Sequence, residues 1–172
     1  MVLLIGVLSV AGLIGATLGN TSRSGYMNQA ATLATEKLED LNRYPVSAPQ
    51  VTVSGGNSVG SLTSNTISNN ISYYDEVYFS PSQGAIEETT TGVDSSGNKQ
   101  YTTTTFTPGG QITVSAPSGT APSTTGEVSY ERRWVIEQDQ PVTGSRRVTV
   151  LVTLLNQTIQ PPVTFQMSMV RP

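Results

Sequence analysis

Residues 1–18 carry no charged side chain, and helical patterning then continues without a proline until Pro45. This stretch constrains the chain more than any other. At 1.5 Å per residue, 18 helical residues reach about 27 Å, close to the ~30 Å hydrocarbon core of a bilayer. Leu3, Leu4, Leu8, Leu13 and Leu18 supply the apolar surface. Ala11, Gly15 and Gly19 recur at every fourth residue with Gly12 on a neighbouring line, so one flank is small enough for a second helix backbone to approach. A secretory signal peptide is a poorer description, because its positive region should precede the apolar run. Here the first positive side chain is Arg23.

After Leu18 the pattern becomes amphipathic. Met27, Ala31, Ala34, Leu38 and Leu41 form a stripe at three-and-four spacing, with Gln29, Glu36, Lys37, Glu39, Asp40 and Arg43 assigned to other faces. Residues 19–25, rich in Asn, Thr, Ser and Gly, predict local unwinding or a kink. Pro45 predicts the helix end. The organisation expected is an apolar helical segment over 1–25, its amphipathic continuation over 26–44, and a β-rich domain over 45–172 with variable loops.

Within that domain, residues 46–72 read as a polar loop with one or two short strands, 50–54 among them. Residues 71–79, with Tyr73, Tyr74, Tyr78 and Phe79, predict a partly exposed aromatic strand. Two Thr-rich arms flanking Asp94-Ser95-Ser96-Gly97-Asn98 predict a hairpin over 86–106, and 111–116 a further short strand. In the last third, alternation puts Val128, Tyr130, Arg132, Trp134 and Ile136 on one face, Val148, Val150, Val152 and Leu154 on the next, and Val163, Phe165, Met167 and Met169 on the last. These predict an antiparallel meander. Its apolar face and the helical stripe should cover one another, through Trp134, Val150 and Phe165 among others.

Function classes narrow by exclusion. There is no His and no Cys, which removes the usual general base near neutral pH, thiolate nucleophiles and most transition-metal sites. Adjacent carboxylates at Asp75-Glu76 and Glu87-Glu88 point to opposite faces of a strand and form no ready dyad. A formal net charge of -3 argues against a nucleic-acid binder. The one basic cluster, Arg132, Arg133, Arg146 and Arg147, is expected to pair with Glu131, Glu137 or solvent. No catalytic residue, cofactor or metal is expected.

The run ATLATEKLEDLNRYP, following an apolar helix start, resembles the N-terminal helix of type IV pilin-like proteins. The likeness is greatest to the type IV pilus modification proteins and the type II secretion minor pseudopilins. YERRWVI followed by RVTV is similar to the C-terminal half of the same family. That family's leader peptide, prepilin-peptidase site and glutamate near the mature N-terminus are not in the sequence, which suggests a chain beginning inside the family's helix or a variant without the signal. The resemblance implies an α+β, pilin-like fold, a long N-terminal helix packed on an antiparallel sheet. It also implies a minor pilin or pseudopilin that initiates filament assembly or modulates adhesion. The partners implied are other pilin subunits through the helix, the inner-membrane assembly machinery and, before assembly, membrane lipid. The location implied is single-pass in the inner membrane, then a periplasmic or extracellular filament. A membrane-anchored adhesin or glycan-binding β module is the alternative.

Overall fold

The computed structural model describes residues 2–54, 56–79, 84–122, 128–155 and 161–172, with side chains from residue 21 onward. Helix α1 (Val2–Arg43) is followed by β1 (Ser58–Gly60), β2 (Ile67–Ser68), β3 (Ile71–Ser72), β4 (Tyr74–Phe79), β5 (Ile86–Val93), β6 (Lys99–Phe106), β7 (Ile112–Val114), β8 (Val128–Gln138), β9 (Arg146–Leu154) and β10 (Thr164–Arg171).

The protein is mainly β, and the α+β, pilin-like class expected from the sequence is incorrect. Eight strands form one antiparallel sheet in the order β10-β9-β8-β4-β5-β6-β7, with β1 paired to β8 beyond the end of β4. The helix is subordinate to this sheet. Its backbone lies chiefly against β9 and β10, with β8 at the edge; the Lys37 side chain reaches over to β4 and β5, and the sheet continues beyond to β6 and β7. A helix 10–12 Å across covers only two to three strands spaced ~4.8 Å apart, so one helix cannot roof a sheet of this width.

The meander β8-β9-β10 and the hairpin β5-β6 lie where the alternation places them. The join between them was not legible. β4 enters between β8 and β5, pairing Asp75 with Arg132 on one side and with Thr90 on the other. This makes 74–79 a central strand rather than a partly exposed one, and Tyr73, Tyr74, Val77 and Tyr78 are all buried. Residues 50–54 form no strand. Val51 and Thr52 instead donate to the Ala48 carbonyl in a turn that tucks Val51 and Val53 into the core.

The backbone of α1 is helical through 19–25, where a kink was expected. Its buried side is rotated from the expected stripe. Ala30, Leu33, Ala34, Leu38 and Leu41 are buried in one cluster with Trp134, Ile136, Val148, Val150 and Val152, while Met27 is only partly buried against it and Ala31 lies outside. Ala30 and Ala34, both fully buried, let the helix axis approach the sheet closely. Arg171 closes the C-terminal end by donating to the carbonyls of Leu41 (3.1 Å) and Tyr44 (2.9 Å), which helical hydrogen bonding leaves open, and its charge suits the negative end of the helix.

Candidate functional site

Four ionisable side chains meet where α1 crosses the sheet. Lys37 projects from the buried side of the helix, one turn from Leu33 and Leu41; Arg132, Asp75 and Glu88 come from β8, β4 and β5. The pleat explains their meeting. Arg132 shares the inward face of β8 with Tyr130 and Trp134, and the register puts Asp75 directly opposite it.

The geometry is a closed clamp. Arg132 donates from Nε to one oxygen of Asp75 (2.6 Å) and from a terminal nitrogen to the other (2.9 Å), and the same terminal nitrogen lies 2.7 Å from Glu88. Lys37 Nζ reaches Asp75 at 2.7 Å and Glu88 at 3.3 Å, and stands 4.4 Å from the centre of the Trp134 ring. Two cations and two anions therefore cancel inside a largely apolar junction. Charge-assisted, bidentate pairing of this kind is what a buried guanidinium needs if it is not to destabilise the fold. Among the described residues no buried side-chain polar atom lacks a hydrogen-bond partner.

The electrostatics follow from that arrangement. Burial by itself would raise the Asp75 carboxyl, yet Arg132 and Lys37 outweigh it and hold the group far below the usual carboxylate range. Glu88 moves the other way. Its partial burial and the neighbouring Asp75 charge push it up, because the two cations are already shared with Asp75. Burial is the largest single influence on Lys37 and would lower it, but the charges of Asp75 and Glu88 together outweigh burial and the repulsion of Arg132 and raise it.

This cluster was missed in the sequence. Lys37 had been assigned to a solvent-facing side of the helix, and Arg132 to Glu131, Glu137 or solvent. In the fold Glu131 pairs with Arg133 (2.5 Å) and Glu137 with Arg147 (2.7 Å), which leaves Arg132 to Asp75. Arg146 binds the carbonyls of Val46 and Val51. A signal was present: Arg132 sits in an apolar alternation, and a buried arginine demands a carboxylate from another strand. Elsewhere, Tyr130 donates to Gln29 (2.9 Å) with the Tyr26 carbonyl at 3.2 Å, the first described helix-sheet link after the N-terminus.

Of the helix-sheet residues expected, Ala34, Leu38, Leu41, Trp134 and Val150 lie in the core cluster, Met27 and Phe165 at its edge, and Ala31 outside it. The expected membrane and filament residues Leu3, Leu4, Leu8, Ala11, Gly12, Leu13, Gly15, Leu18 and Gly19 lie outside the residues whose side chains are described. Among the described residues no helix is long and apolar enough to cross a membrane, and no His, Asp or Glu group is arranged to hold a metal ion. The clamp offers no catalytic chemistry. Its acids and bases neutralise one another, so it positions the helix.

Comparison with protein-family models, with curated proteins and with solved structures gave no match.

Proposed function

We propose that the protein is a structural subunit of an extracellular or periplasmic filament of the type IV pilus or type II secretion kind, acting as a minor pilin or pseudopilin and not as an enzyme. The reading rests on the sequence of the helix, since the sheet is not the pilin-like one expected. Its single strongest support is continuity. The backbone of α1 is helical from Val2 to Arg43, whereas described contacts with the sheet begin only at Tyr26. Ahead of that point Thr21, Ser22, Ser24 and Gly25 are exposed. A helical stretch of 18 residues without a charge suits lipid or other helices as its surroundings.

On this reading residues 1–18 rest in the inner membrane before assembly and pack among the same segments of neighbouring subunits afterwards. The clamp and the Arg171 cap transmit force from that helix to the sheet. Gly15→Leu combined with Gly19→Leu is expected to abolish recovery of the protein in sheared filaments, while circular dichroism and thermal melting of the sheet stay unchanged. Normal incorporation of the double variant would sink the proposal. In a merely anchored adhesin the same change would leave surface display intact.

A further inference from the structure

The face of the sheet turned away from α1 carries a separate cavity. The register puts Glu76 opposite Thr89 and Thr91 opposite Tyr101, so these four side chains share that face, with Tyr78 next along β4. Residues 117–122 return above them. Reciprocal backbone hydrogen bonds between Tyr101 and Ser118 (2.8 and 3.0 Å) hold that return, and Ala121 and Pro122 complete the wall of a space of about 180 Å³. This lies below the ~300 Å³ at which drug-sized pockets begin, so it suits one small ring.

The lining says which ring. Among the described residues it contains no Lys or Arg, which disfavours phosphates and carboxylates, and too little apolar surface for a lipid chain. Glu76 accepts a hydrogen bond from the Tyr78 hydroxyl and retains further acceptor positions. The hydroxyls of Thr89 and Thr103 satisfy one another at 2.9 Å. Thr91 differs: it is only 6% exposed, it lines the cavity, and among the described residues its hydroxyl has no hydrogen-bond partner. Since no buried side-chain polar atom among the described residues lacks a partner, this hydroxyl opens onto the space and is satisfied by whatever fills it, water included.

We propose that this cavity binds a neutral hexopyranose. The Glu76 carboxylate accepts from ring hydroxyls, Thr91 completes the polar side, and Tyr101 offers its aromatic face to the C–H face of the sugar. The inference stands independently of the filament reading. It is tested by saturation-transfer NMR on the full chain with glucose, galactose, mannose and N-acetylglucosamine as probes, followed by titration of any that bind. At least one is expected to bind, with transfer strongest to its ring C–H protons. Thr91→Val and Tyr101→Ala should each weaken it at least about tenfold, and Tyr101→Phe should retain it because the ring face is kept. No transfer to any of the four sugars would overturn the proposal. So would binding untouched by Thr91→Val, or, with the cationic analogue glucosamine run as a fifth probe, binding confined to that sugar, which needs only the Glu76 charge.

Discussion

Asp75 is the residue on which the helix-sheet junction turns. Its carboxylate is fully buried and holds both Arg132 and Lys37. Replacing it with Asn keeps the shape and leaves two cations short of an anion, which costs about 3–5 kcal/mol by analogy with broken buried pairs and should appear as a lower denaturant midpoint. The pH dependence has a definite sign. The folded value of Asp75 is depressed, so its stabilisation is complete above the ordinary aspartate value of about 3.9 and is lost as pH falls from there toward the folded value. Wild type should therefore lose stability on acidification below about pH 4, and Asp75→Asn should show a flatter acid limb in the same titration. Glu88 acts oppositely, since the folded protein keeps its proton to higher pH than the unfolded chain and ionising it as pH rises costs stability. None of this was visible in the local sequence. Lys37 sits among Glu36, Glu39 and Asp40, a neighbourhood that reads as a solvated face, and only the partners on β4, β5 and β8 turn it inward.

Strand β1 shows a constraint that belongs to elements rather than to single contacts. Gly60, which pairs with Val135, has a φ of 84°, and a Cβ there would collide with the carbonyl oxygen of Trp134. The same glycine lies against Tyr73, whose ring packs at 6.4 Å from that of Trp134. Gly60→Ala should thus cost on the order of 1–3 kcal/mol and perturb the environment of Trp134, read as a shift in its fluorescence together with a lower melting temperature. For the helix, hydrophobic spacing located the element, its end at Pro45 and the buried Ala34, Leu38 and Leu41, but it missed Ala30 and Leu33 and included Ala31. Ala30 and Leu33 are as apolar as Ala31 and Met27, so two overlapping stripes fit the sequence. The choice was made by Tyr130, Arg132 and Arg171, whose bonds to Gln29, Lys37's carboxylate partner and the Leu41 carbonyl fix the rotation.

Across the whole molecule, the helix and the sheet divide the labour unevenly. Among the described residues the core draws on α1 from Tyr26 onward, and otherwise on the sheet and the turn after the helix. A variant lacking residues 1–20 should accordingly fold, with a near-ultraviolet spectrum like that of the full chain and a melting temperature within a few degrees of it, as about 2–4 °C accompanies each kcal/mol in a domain of this size. A molten or aggregated product would show that the segment helps to build the core.

The sequence by itself determined the local elements: a helix ending at Pro45, a hairpin turning at Asp94–Asn98, and three alternating strands at the end of the chain. These are legible because apolar periodicity and turn chemistry act over a few residues. Tertiary structure alone decided that β4 lies between β8 and β5, that the sheet therefore outgrows the helix, and that Lys37, Asp75, Glu88 and Arg132 meet. Strand pairing across some fifty residues leaves no periodic trace in either partner, and a charge turns inward only when a second element brings its counter-charge within reach.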